Sequence, residues 1–409
     1  MTGDARESAV LEGVPARLYI GGEWREAEGG GRLGVEDPAT GETLIEIADG
    51  QPSDSLAALT AAANIQTEWA ATAPRERGEI LRRAYEAIVE QADELALLMT
   101  LEMGKSVAES KAEISYAAEF FRWFSEEAVR IHGRYMVNTT GKGRILTMRQ
   151  PVGPCVFVTP WNFPTAMGTR KIAPAIAAGC TMVVKPAQQT PLSMLALAKI
   201  LEQAGLPGGV LNVITASRSG AVIEPLLKDP RTRKLSFTGS TEVGRKLIEQ
   251  SAEQILRTSM ELGGNAPFLV FEDAAGRGAE VLIGGRAGDG PGYFYEPTVL
   301  GGVPEDARVF GEEIFGPVAP VATFSSDEQA IAAANRTEYG LVAYVYTRDL
   351  DRAFHVCEGI ESGMIGLNQG VVSNPAAPFG GVKQSGFGRE GGFEGIEEYL
   401  ETKYVAIAV

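Results

Sequence analysis

Soft metal ligands are scarce in this chain of 409 residues: three cysteines (Cys155, Cys180, Cys357) and two histidines (His132, His355). That supply builds neither a disulfide framework nor a Cys/His zinc cluster of ordinary spacing, and it fits a reducing cytoplasm. No apolar run reaches the roughly 18 residues that a membrane span needs. The start, MTGDARESAV, has no basic stretch followed by an apolar one, so neither a span nor a leader is expected. Positive charge is also short. Lys and Arg number 37 against 53 Asp and Glu, a net charge of −16 that repels phosphate backbones and anionic lipid. Nucleic acid and membrane surfaces are therefore not expected partners.

What remains is an ordinary globular composition. With 44% hydrophobic residues, the chain can fill two or three cores at roughly 100–200 residues per domain. Its N-terminal part, LYIGGEWREAEGGGRLGVEDPATGETL, reads as strand pieces broken by Gly and Asp-Pro, a hairpin region. Residues 53–132 are helical in period. In APRERGEILRRAYEAIVEQADELALL, Pro74 suits a first turn, and Ile80, Leu81, Ala84 and Ile88 share a face. From Cys155 to Leu262 the rhythm changes, and the short runs CVFVT, TMVV, VLNVI, KLSF and TSMEL alternate with amphipathic segments. This predicts an α/β fold with a doubly wound parallel sheet, whose ligand edge lies at the C-terminal strand ends.

The residues at those ends carry the chemistry. After KLSF, the turn TGSTEVG sets Gly239 and Ser240 at the start of a helix, where free backbone donors suit a pyrophosphate. An ordinary turn capped by Ser240 is the equal alternative. Lys185 ends a buried strand, where it reaches ribose or phosphate oxygens; the plainer alternative is a solvated lysine.

Taken together, PWNFP, KPAQQTP, FTGSTEVG, MELGGNAP, EEIFGP and the tail PFGGVKQSGFGREG resemble the NAD(P)-dependent aldehyde dehydrogenases. The resemblance runs from about Leu18 to the C-terminus and is greatest to the succinate-semialdehyde dehydrogenases. It implies an oxyanion-hole amide at Asn162, otherwise a turn residue, and a general base at Glu261, otherwise a strand-end carboxylate bonded to backbone. It further implies cofactor contacts at Trp161, Lys185, Gly239, Ser240, Glu313 and Phe315. Gln188 stands where NAD-preferring relatives often carry a ribose-binding glutamate, so NADP is the expected cofactor, with NAD also accepted. Arg170 and Ser373 match residues that bind a distal carboxylate, and a surface arginine is the alternative for Arg170.

The resemblance also implies a loss. In the family, several tens of residues with a Gly-Gln-x-Cys nucleophile loop lie between a strand like PFLVF and a segment like GRGAEVLIGG; here EDAA joins the two directly. A second carboxylate-binding arginine goes with that block. None of the three cysteines stands in a Gly-rich loop or beside an evident base. The expectation is either a dehydrogenase of succinate semialdehyde by descent or a catalytically silent NAD(P)-binding or assembly subunit.

The implied architecture is a cofactor domain over residues 1–130 and 151–262, and a shortened catalytic domain over 263–384. Residues 131–150 and 385–409 form an oligomerisation arm and tail. The β-prone pieces GRYMVNTTGKGRILTMRQ and KYVAIAV suit extension of a neighbouring subunit's sheet, as a homodimer or homotetramer.

Overall fold

The computed structural model describes residues 3–270, 283–303 and 308–408. Helices Pro52–Ala71, Pro74–Glu90, Ala92–Met103 and Val107–Glu127 (α1) form the expected helical layer, and Pro74 opens its helix as its fixed φ favours. Next comes the alternating region: β1 (Cys155–Val158), α2 (Ala166–Ala178), β2 (Met182–Lys185), α3 (Leu192–Gln203) and β3 (Leu211–Val213). It continues through α4 (Ser219–Lys228), β4 (Lys234–Thr238), α5 (Thr241–Ser251) and β5 (Arg257–Glu261).

All five of these strands run parallel in the spatial order β5-β4-β1-β2-β3. The chain thus winds outward from β1 to one side and then from β4 to the other, which puts the switch point between β1 and β4. Both edges depart from the all-parallel expectation. Gly386–Phe387 pairs antiparallel with β5, and Leu18–Ile20 pairs antiparallel with β3 and with Glu23–Arg25. Short antiparallel edge pieces are the ordinary way to finish such a sheet. The second of them is half of the hairpin region read from sequence; Arg32–Glu36 with Thr43–Ala48 is the other half.

Strand alternation divides the core in two. Cys155, Phe157, Met182 and Val184 pack with Phe120, Phe121, Ile172 and Leu195 on one face. Val156, Val183, Leu235 and Met260 pack with Leu59, Leu226 and Leu247 on the other. Each strand is therefore apolar at successive positions, as a sheet covered twice requires.

Beyond Leu262 the architecture is thinner. Phe268–Val270, Val342–Tyr346 and Met364–Leu367 make a three-stranded parallel sheet, and Thr298–Leu300 pairs with Val318–Pro320. Phe268–Val270, within PFLVF, is thus a parallel strand, while Phe271, the junction Asp273–Arg277 and most of GAEVLIGG lie outside the described residues. Helices Asp327–Asn335 and Leu350–Gly359 cover this sheet through Ala330, Ala334, Ala343, Val345, Val356 and Ile360. The arm pieces pair with one another: Leu400–Ile407 runs antiparallel to Arg144–Pro151, which also takes Tyr135–Val137. Among the described residues no helix is long and apolar enough to cross a membrane.

Candidate active site and cofactor edge

Glu261 is the last residue of β5 and is 7% exposed. Its Oε2 accepts from Thr238 Oγ1 at 3.0 Å, and its Oε1 accepts from Arg170 Nη2 at 3.2 Å. Arg170 and Lys171 come from α2, a helix buried along its whole length. Each has a carboxylate. Arg170 Nε lies 2.8 Å from Glu390 Oε2, and Lys171 Nζ bonds to the other Glu390 oxygen, to Thr238 Oγ1 at 2.8 Å and to Ser236 Oγ at 3.1 Å. The Arg170 guanidinium also stacks 3.9 Å above the Phe379 ring. Two cations and two carboxylates thus neutralise one another in a dry site, where any one of them alone would be very costly.

The two carboxyls are driven apart. Burial raises Glu261 above the ordinary carboxylate range, against Arg170 and with help from Glu390. Burial also acts on Glu390, but Lys171 and Arg170 outweigh it and hold that carboxyl below its usual value. A raised Glu261 beside a Glu390 held below its usual value is an arrangement suited to moving a proton.

Asn162 lies in the loop between β1 and α2. Its Oδ1 is buried without a hydrogen-bond partner among the described residues. The loop itself is clamped from the α1 side. Lys105 Nζ donates to the Asn162 carbonyl at 2.9 Å and to Glu113, and lies 4.1 Å from the Phe163 ring. Glu113 Oε1 in turn accepts from the N–H groups of Thr165 and Ala166 at 3.0 and 3.1 Å.

The remaining strand ends form one continuous edge. Lys185 ends β2, is 3% exposed and donates to Ser219 Oγ, so the solvated-lysine alternative falls. Burial lowers its pKa to about 8. Gln188, three residues on, is exposed. Ser240 caps α5 by accepting from Val243 N–H at 3.4 Å. Gly239 and Gly244 are required by close approach: a Cβ on Gly239 would stand 2.5 Å from the Phe237 ring, and one on Gly244 2.4 Å from Leu262. Glu313 closes over the Gly263–Gly264 turn and accepts from Gly264 N–H at 3.2 Å. Trp161 and Phe315 meet edge to face at 5.2 Å, both well exposed. These groups suit a dinucleotide: a glycine turn at a helix start for phosphates, a buried ammonium for ribose oxygens and exposed aromatics for a ring.

Sequence reading brought most of these residues to one edge, but two placements differ from its alternatives. Arg170 is no surface arginine, being 1% exposed and held by both carboxylates. Ser373 is exposed and approaches the phenol of Tyr116 rather than Arg170 itself. Glu390, Lys171, Lys105 and Glu113 were missed. Their signals were present: two adjacent cations in the apolar run AMGTRKIAPAIAA, a glutamate among glycines in GREGG, and a carboxylate between Ser110 and Ile114 on the buried face of α1.

The thiols lie elsewhere. Cys155 shares a row of the sheet with Lys234 and Arg257, four residues before Glu261. At about 3.3 Å per residue and about 4.8 Å per strand, that is about 16 Å from the base. Cys180 is at the same far edge, just before Thr181, whose carbonyl accepts from Cys155 N–H at 2.8 Å. Cys357 belongs to the helix Leu350–Gly359, and burial raises its thiol.

The family profile "Aldehyde dehydrogenase family" matches residues 24–276 and 272–405. The chain is 48% identical to a succinate-semialdehyde dehydrogenase of Paenarthrobacter nicotinovorans over 444 aligned residues, covering 89% of this chain and 99% of that one. It is 43% identical over 472 residues to a succinate-semialdehyde dehydrogenase [NADP(+)] of Escherichia coli K12, covering 96% and 98%. Both alignments are longer than the 409 residues available, so these relatives carry residues with no counterpart here. A solved E. coli structure described as an NADP-dependent enzyme superposes with a TM-score of 0.94 at 42% identity, covering 98% of this chain and 99% of that one.

Proposed function

This chain belongs to the aldehyde dehydrogenase family, and from that premise we propose that it binds NADP along the β1–β5 edge but does not itself oxidise succinate semialdehyde, the aldehyde its lineage points to. The observation that carries this reading is the position of the thiols. The covalent route needs a thiolate at the aldehyde carbon, and the three cysteines lie at the sheet's far edge or in the outer helix. Two matches of the family profile that meet at residues 272–276, and alignments longer than the chain, support a lost block that included the nucleophile.

The residues left can still do part of the work. When bound, the nicotinamide cofactor would supply the hydride acceptor. Asn162 offers an amide donor to a developing oxyanion, and Glu261 takes a proton from water or from a hydrated aldehyde. Arg170 already faces Glu261 and Glu390, so a distal carboxylate would compete with both for its charge. Gln188 is neutral and does not repel a 2′-phosphate, which favours NADP over NAD. Residues 1–130 and 151–262 serve as the cofactor domain, and the exposed edge strand Tyr135–Val137 suits pairing with a second copy in a homodimer or homotetramer.

The test is NADPH formation from succinate semialdehyde by the purified 409-residue chain. Turnover is expected to be several orders of magnitude below that of an enzyme with its nucleophile. Robust turnover that disappears in Cys155→Ala, Cys180→Ala or Cys357→Ala would overturn the reading and restore the dehydrogenase.

A further inference from the structure

The start of α4 adds a residue to the cofactor edge. Ser219, the first residue of that helix, accepts from the Lys185 ammonium and so ties the helix start to the end of β2. The turn before it is rigid. Asp49 accepts from Ser217 N–H at 2.8 Å through one oxygen and from Ser217 Oγ at 2.7 Å through the other. Between these two fixed serines stands Arg218, which is exposed and whose guanidinium has no hydrogen bond or ion pair among the described residues.

The surroundings leave that charge in want of an anion. Lys185 is lowered by burial alone, with no carboxylate acting to raise it. Gln188, on the loop leaving β2, is neutral. An ammonium without a carboxylate partner and a guanidinium without an ion pair thus flank Ser219, and the nearby Asp49 carboxylate is taken up by both hydrogen bonds of Ser217. A ribose held by Lys185 would lie beside the helix start that carries Arg218, since Ser219 joins the two. A phosphate monoester there carries nearly two charges and three acceptor oxygens, which a guanidinium fork grips in two bonds at once.

We propose that Arg218 is a specificity-determining residue that grips the 2′-phosphate of NADP, with Lys185 on the adjoining ribose. This rests on the β1–β5 edge being the cofactor site. Ser219 sets the position of Arg218, and Asp49 fixes the turn without using its charge on Arg218.

The test is calorimetric titration of the full chain with NADP, NAD, 2′,5′-ADP and ADP. The unaltered protein should bind NADP and 2′,5′-ADP more tightly than NAD and ADP. Arg218→Ala should weaken the two 2′-phosphorylated ligands by about 10- to 100-fold, the loss typical of a hydrogen-bonded charge, and leave NAD and ADP within about threefold. Arg218→Lys should recover part of the difference, and added salt should weaken NADP less in Arg218→Ala than in the parent. An unchanged NADP-to-NAD ratio in Arg218→Ala, while both still bind, would overturn the inference and leave the cofactor site standing. Failure of the unaltered chain to bind any of the four would overturn the site and the inference together.

Discussion

The region from Cys155 to Leu262 and the region from Gly263 to Gln384 are built from the same parts, parallel strands and covering helices, yet their cores differ in kind. In the first, every central strand is covered twice, with Phe157 and Val184 on one face and Val156 and Val183 on the other. In the second, among the described residues, six buried side chains form one cluster, and three of them are alanines. Large apolar groups of this region such as Tyr293, Phe294, Phe315 and Val371 stand more than half exposed. The strand ends proposed to hold the cofactor therefore rest on a core closed on both faces, whereas the described part of the second region buries a smaller one.

The sharpest way to break this contrast is native-state amide exchange. If the second region leaves even about 400 Å² of apolar surface bare, at about 25 cal/mol per Å² the deficit approaches 10 kcal/mol, the whole net stability of a typical domain. Strong protection is expected over β1–β5, with much weaker protection over 263–270, 283–303 and 308–384. NADP should add protection mainly to the first region. Uniformly slow exchange across both, in a monodisperse preparation, would mean that the short region has closed a core of its own.

How much of this contrast could be read in sequence depends on where the determinants lie. The five central strands were legible because burial on both faces imposes short β-branched runs, and the ligand edge followed from winding alone. Glu261 and Lys185 were legible because each ends a strand, and Asn162 because it lies in the loop directly after one. Their partners were not. Glu390 is more than 120 residues from Glu261 in the chain, and it reaches Arg170 only because Gly386–Phe387 returns to pair with β5. No local period encodes such a return. The antiparallel edges escaped for the same reason, since two- and three-residue strands carry too few side chains to show a period.

The charge network offers the next test, because it is where the tail locks onto the first region. Arg170→Met removes the cation that faces both Glu261 and Glu390 and leaves Lys171 to balance two buried carboxylates. Breaking a buried pair from one side typically costs about 3–5 kcal/mol. The denaturation midpoint should fall accordingly, and exchange at β5 and Gly386–Phe387 should quicken most. The double change Arg170→Met with Glu390→Gln should recover much of the loss. A single substitution that cost under about 1 kcal/mol would show that water already reaches these charges, contrary to their burial.

The smallest effect separates the two regions by their response to pH. Glu102 ends the helix Ala92–Met103 and accepts from the N–H groups of Leu192 and Ser193 at 2.7 and 2.9 Å, so it caps α3 from within the core. Burial raises its pKa from 4.5 to about 7, against those hydrogen bonds. A carboxyl that holds its proton more tightly folded than unfolded favours the folded state at low pH, and that advantage is lost as pH rises from about 4.5 to about 7. The shift corresponds to a change on the order of 3 kcal/mol at most. In the second region Glu328 is lowered, by hydrogen bonds at its helix start. Protection over β1–β3 should therefore decline between pH 5 and pH 8 while that of residues 327–367 changes little. Glu102→Gln, which cannot ionise, should flatten the decline whatever it costs at a single pH. An equal slope in Glu102→Gln and the parent would remove Glu102 as its source, and an equal slope in both regions would erase this part of the contrast between them.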